Sequence, residues 1–209
     1  MNGIKDEVNS SLQNLNLEGN NITSVGAFAL ANSLEFNTTL TSLILSSNSI
    51  EVAGGVAFSR LLIVNSTLKS LELNYTKLNP EGGSAIGQSL ALNQGLRSLS
   101  LKGNGLGNEG AKEIASGLSL NTELRRLDLE WNFIGLDGGV ALGRALLRNS
   151  SLEWLNLSEN GGRISTLKLF VKVFSVNKIL RQVVLVRNCF ENEVSSLIPK
   201  ELKHKMIVD

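Results

Sequence analysis

The 209-residue sequence predicts an α/β solenoid bent into a horseshoe, with a parallel β-sheet on the concave face and α-helices on the convex face. Three observations predict it. Leucine stands at Leu12, Leu40, Leu68, Leu96, Leu124, Leu152 and Leu180, in steps of 28 residues without drift. After each start the apolar period is two for a few residues, then changes to that of a helix. Eight residues after each start stands Asn20, Asn48, Thr76, Asn104, Asn132, Asn160 or Asn188. One such unit cannot bury its own apolar edges, so stacked neighbours supply the core.

The elements follow in chain order. Residues 1–11 align with the helical end of a preceding unit: Val8 and Asn9 fit, while Asp6 stands where other units carry Leu or Phe. They read as a polar N-terminal cap or as the end of a preceding repeat. Residues 12–151 form five regular repeats. In each, apolar residues three and five after the start (Leu15 and Leu17, Leu43 and Leu45, and so on) mark a short strand with one buried face. The Asn beyond it has a side-chain amide suited to pairing with its own and neighbouring turns, which makes a ladder. Gly26, Gly54, Gly82, Gly110 and Gly138 then open a helix whose stripe is carried by Leu30, Phe58, Ile86, Ile114 and Leu142, with Leu34 and its equivalents one turn later. Asn79-Pro80-Glu81 reads as N-cap, first-turn proline and first-turn acid. Glu109 and Asp137 hold the same acidic position. The recurrent Asn37, Asn65, Asn93, Asn121, Asn149 and Asn177 read as left-handed helix ends. Residues 152–209 are degenerate repeats forming a C-terminal cap. There Gly161-Gly162 replaces the apolar turn residue, Thr166 replaces the helix glycine, and Pro199 blocks a long helix.

The string L-x-x-L-x-L-x-x-N-x-[IL], the 28-residue period and a full helix per unit resemble leucine-rich repeats of the ribonuclease-inhibitor-like class. Asn37-Thr-Thr-Leu-Thr-Ser-Leu and Asn108-Glu-Gly-Ala-Lys-Glu-Ile-Ala are similar to repeats of NOD-like immune receptors. The resemblance covers essentially the whole chain. It implies a leucine-rich repeat solenoid and a non-catalytic protein-interaction scaffold with its ligand on the concave face. It leaves two alternatives, since the repeat class serves many unrelated roles. One is a regulator of a small GTPase, because the Ran GTPase-activating protein uses this class, although no arginine here matches a known motif. The other is a structural module of a large assembly or an effector.

Composition narrows the chemistry. Twenty Lys and Arg against 19 Asp and Glu argue against nucleic acid held by bulk positive charge. The expected partner is a protein, with neither nucleic acid nor membrane involved, and the chain is monomeric or part of a larger one. One Cys and one His exclude a Cys/His structural zinc site within the chain, and no cofactor is expected. The single Cys favours a reducing, cytoplasmic location. Seven N-x-[ST] sequons occur, but four of them are the repeat's own turn. Cys189, after the last ladder Asn, reads as a buried or half-buried packing residue, and His204 as a solvated residue of a basic segment. No acid, base and nucleophile converge, so catalysis is not expected.

The surface remains. Residues two, four and six after each start face the hollow. The early units are bland there; the later ones carry Glu72, Lys102, Arg126, Asp128, Glu130 and Trp154, with Tyr75 and Trp131 at the strand exit. Exposed Trp, Tyr and Arg are favoured binding anchors. Lys102 and Glu130 sit on equivalent rungs one repeat apart, placed to pair. Lys69, Arg97 and Arg125, one residue after their starts, form a basic edge suited to an acidic partner.

Overall fold

A computed structural model describes residues 10–190 and 194–208. Most of the 1–11 segment therefore lies outside the described residues. The elements are β1 (Asn14–Asn16), α1 (Ser24–Leu34), β2 (Ser42–Ile44), α2 (Glu51–Val64), β3 (Ser70–Glu72), α3 (Asn79–Leu90), β4 (Ser98–Ser100) and α4 (Gly107–Leu120). They continue with β5 (Arg126–Asp128), α5 (Leu136–Leu146), β6 (Trp154–Asn156), α6 (Ile164–Val176), β7 (Gln182–Val184), α7 (Val194–Leu197) and β8 (Met206–Ile207), with a 3-10 turn at Lys200–Leu202 before β8. The eight strands form one parallel sheet in chain order. Leu15, Leu43, Leu71, Leu99, Leu127, Leu155 and Val183 pair in register, each 28 residues from the last. The expected horseshoe-like α/β solenoid is thus the observed one. β8 is an addition: it is too short and too close to the basic segment to announce itself by period.

The core lies between sheet and helices. Leu43, Leu71, Leu99, Leu127 and Leu155 from the strands and Phe58, Ile86, Ile114 and Leu142 from the helices are at most 1% exposed. Small residues let the helices close on one another. A Cβ on Gly117 would run into the Gly87 carbonyl, and one on Gly87 would meet the Glu113–Ile114 peptide at about 2.5 Å. α3 and α4 therefore touch backbone to backbone. Thr166 fills the notch over Gly139, where a Cβ would stand 2.8 Å from its methyl.

The Asn ladder forms as its chemistry requires. Asn104 Oδ1 accepts from Thr76 N and Leu78 N, while its Nδ2 donates to the Leu73 and Leu101 carbonyls. Asn48, Asn132 and Asn160 repeat the pattern. Thr76 is the exception. Its hydroxyl lies 2.7 Å from the Leu73 carbonyl and 3.0 Å from Asn104 Oδ1, and it offers no amide oxygen to Asn48 N or Ile50 N.

Three expectations are corrected. Asn65, Asn121 and Asn177 are extended, with φ of −88°, −73° and −76°, not left-handed. They build a second ladder instead: Asn121 Nδ2 donates to Leu90 O and Asn93 O, and its Oδ1 accepts from Glu123 N and Leu124 N. The side chain, not backbone inversion, closes the helix. Asn79 is not a side-chain cap; it is the first residue of α3, at φ +56°, and the capping position before it falls to Leu78. Cys189 is exposed, not buried. Its position lies between two inward residues of the turn, and the equivalent Asn21, Lys77 and Phe133 also point outward. The first-turn acids Glu81, Glu109 and Asp137 stand as expected.

Candidate protein-binding surface

Each of β1 to β7 is three residues long, so its two outer residues face the hollow and the next two turn over the rim. Parallel register then stacks like positions from neighbouring repeats about 5 Å apart. Ser98, Arg126 and Trp154 form one row; Glu72, Ser100, Asp128 and Asn156 form the next. A depression of about 300 Å³ opens over Ser98 and Ser100. Glu72 and Asn74 wall one side, and Arg126, Asp128 and Trp154 the other.

The charged residues hold one another. Arg126 lies over the Trp154 ring, 4.4 Å from its centroid, and Trp154 Nε1 donates to Gln182 Oε1 at 3.0 Å. Lys102 Nζ meets Glu130 Oε1 at 2.7 Å, and Glu130 Oε2 accepts from Asn156 Nδ2 at 3.0 Å. The hydrogen bond to Glu130 holds the Lys102 ammonium above its ordinary range. Asp128 Oδ1 accepts from Glu130 N at 3.0 Å, but burial pushes its carboxyl above the usual value.

The rim is aromatic. Tyr75 and Trp131 meet edge to face, with ring centroids 5.9 Å apart. They belong to repeats that are not adjacent, and Gly103 lies between them. A Cβ on Gly103 would run into the Tyr75 ring, so the glycine lets the tyrosine lie across the intervening repeat. Trp131 is 51% exposed and Phe133 73%. Tyr75, Trp131 and Phe133 all have left-handed backbone, with φ of 56°, 54° and 56°. That conformation costs a bulky residue about 1 kcal/mol or more.

The sequence-selected residues fall into two groups. Arg126, Asp128, Glu72 and Trp154 surround the depression; Lys102, Glu130, Tyr75 and Trp131 make the rim. The two tryptophans are not equivalent: Trp154 is half-buried and engaged on both sides, whereas Trp131 is open. Phe133 and Gln182 were missed. Phe133 is signalled in the sequence, since the equivalent Asn21, Ser49, Lys77 and Gly105 are polar or small. Gln182 carries no such signal. The basic edge is partly neutralised: Arg97 pairs with Glu123 at 3.3 Å, while Lys69 donates to Ser66 O and Arg125 to Thr122 O and Ser151 O. Among the described residues no three His, Cys, Asp or Glu are grouped to hold a metal ion. Among the same residues no helix is long and apolar enough to cross a membrane.

A stacked parallel sheet, outer helices and a side-chain-lined hollow define a repeat protein of the solenoid type. The chain belongs to the leucine-rich repeat family, whose model matches residues 8–31, 36–59, 64–87, 92–115 and 120–143. Among solved structures it is similar to leiomodin-1 actin-binding site 2, at 24% identity and a TM-score of 0.57, covering 68% of this chain and 82% of that one. It is also similar to the tropomodulin C-terminal domain of Caenorhabditis elegans, at 16% identity and a TM-score of 0.57, covering 68% and 86%. At these identities the likeness is one of fold. No curated protein matches the chain.

Proposed function

We propose that this protein is a non-catalytic protein-interaction scaffold that takes its partner on the concave face of β3 to β6 and on the aromatic rim above it. The 28-residue unit with a full helix supports placing it in the ribonuclease-inhibitor-like class. One observation carries the binding reading. Tyr75, Trp131 and Phe133 hold bulky rings in the open on left-handed backbone, although Gly19 and Gly103 meet the position of Tyr75 and Trp131 without strain. Local folding does not call for those rings; a partner that buries them does. The rigid sheet beneath them loses little freedom on binding, which favours affinity.

The test compares wild type with Tyr75→Ala/Trp131→Ala in pull-downs from native extract and in titrations with purified proteins. Actin is the first probe to offer, because the similar leiomodin-1 structure is an actin-binding site. Loss of about 2 kcal/mol or more of binding, with an unchanged thermal midpoint, is the expected result. A partner retained at equal affinity by the double variant would falsify the rim as an anchor. Acceleration of GTP hydrolysis by a recovered small GTPase would replace the scaffold reading with the regulatory one.

A further inference from the structure

A second surface lies at the opposite ends of the strands, where each helix finishes and the chain turns back. The residue just before each second-ladder Asn is exposed and apolar in five repeats: Phe36 (87%), Val64 (60%), Leu92 (60%), Leu120 (68%) and Val176 (55%). Arg148 interrupts the row. Val64, Leu120 and Val176 are the last residues of α2, α4 and α6. The adjoining asparagines staple these turns to the preceding repeat, as Asn65 Nδ2 does to Leu34 O and Asn37 O. The apolar groups are therefore held in line. Single exposed leucines are ordinary, but a row in register along one edge is not.

Cations border this row, three along one side and one on the other. Four residues before Val64, on the convex face, stands the exposed Arg60; the equivalent Asn32, Gln88 and Ser116 are uncharged, and the exposed Arg144 and Lys172 stand beyond Leu120. None of these three cations makes an ion pair among the described residues. On the other side run Lys69, Arg97 and Arg125. Only Arg97 meets a carboxylate; the bonds of Lys69 and Arg125 to main-chain carbonyls position their charges without neutralising them. The complement of an apolar line with cations beside it is an apolar line with carboxylates beside it. Packed helices lie about 8–10 Å apart, and two turns of a helix laid across them rise about 10.5 Å. A crossing helix thus brings one apolar residue per two turns to each repeat. The row carries no Trp or Tyr, the residues that seat in a lipid headgroup layer, which favours a protein occupant over a membrane.

We propose that the row from Phe36 to Leu120 docks an acidic amphipathic helix of a partner protein. This surface is separate from the concave site and does not rest on it. A random peptide library displayed on phage, selected on the wild-type chain and depleted on Leu92→Ser/Leu120→Ser, tests it. The expected consensus has apolar residues at helical spacing among Asp and Glu. The selected peptide is expected to bind Leu92→Ser/Leu120→Ser, and separately Arg60→Glu/Lys69→Glu, about tenfold or more weakly. Its affinity for Trp131→Ala is expected to stay unchanged. The charge variant keeps the test open if the serine variant fails to fold. A basic or uncharged consensus, or equal binding by both variants, overturns the proposal. So does cosedimentation with phosphatidylserine vesicles that is lost in the charge variant while no acidic peptide is selected.

Discussion

Thr76 and Asp128 show how one atom changes the energy of a rung. In the regular ladder an amide oxygen takes two main-chain N–H groups of the preceding repeat; at Thr76 that oxygen is missing. Replacing Thr76 with Asn restores the acceptor beneath the buried Ile50 turn. It is expected to raise stability by about 1 kcal/mol, read as a shift of the denaturation midpoint. A destabilised Asn variant would mean the rung has no room for the amide. Asp128 acts through charge. Its carboxyl is held above the ordinary 3.8, chiefly by burial. As pH rises through 3.8 toward the folded value, the unfolded chain gives up this proton first, so stability falls across that window and stays lower above it. Asp128→Asn keeps the turn, because Asn156 makes the same bond to Ser158 N. The variant is expected to be more stable than wild type at pH 7, with the gain vanishing below pH 3.8. Chemical denaturation at the two pH values decides; equal stability at pH 7 would show that burial of this charge costs nothing.

α6 shows how an element forms after its pattern has decayed. Gly161-Gly162 leaves no apolar residue in the turn, yet Gly161 N bonds to Ile134 O and Gly162 N to Asn188 Oδ1. The helix then buries Leu167, Phe170, Val173 and Phe174. Its weak point is Thr166, whose buried hydroxyl has no hydrogen-bond partner among the described residues. Thr166→Val keeps the methyl over Gly139 and removes that hydroxyl. We expect a gain of about 1 kcal/mol; a loss of stability would indicate a bond that bridges through water. The two glycines also carry more backbone freedom to lose on folding than any other pair. Amide hydrogen exchange is expected to be faster across 158–170 than across 96–135, and equal protection of the two segments would remove the argument.

For the whole molecule, stability is a sum of units and of contacts between nearest neighbours. The sheet runs through every such contact and the two Asn ladders through most of them, so the cost of breaking one depends on its place. Asn132 sits at the middle of the array and its side chain ties its own repeat to the preceding one: its Oδ1 serves Asn104 N and Leu106 N, and its Nδ2 reaches Leu101 O. Asn188, near the last repeat, is only half-buried. Asn132→Ala is expected to cost about 2–3 kcal/mol, from buried main-chain groups left unpaired, and to lower the midpoint of the entire transition. Asn188→Ala is expected to fray one end at smaller cost. Matching losses in a denaturant series would mean the array unfolds without distinguishing its centre from its end.

The period alone determined the architecture. A 28-residue repeat with leucines in constant register admits one parallel sheet in chain order, because each unit can bury its edges only against the next. It also marked the ladder, the small residues between helices and the Lys102–Glu130 pair, since these depend on equivalence between repeats. Other features arise from contacts that skip or cross repeats. Whether Asn121 bends its backbone or spends its side chain was decided by the Leu90 and Asn93 carbonyls of the preceding unit. That Trp154 is half-buried and Trp131 more open was decided by Arg126 and Gln182 beside one ring and by Tyr75 and solvent beside the other. Tyr75 reaches Trp131 only because Gly103 leaves space between them. The burial that raises the Asp128 carboxyl likewise depends on neighbours in three dimensions, so no spacing along the chain could reveal it.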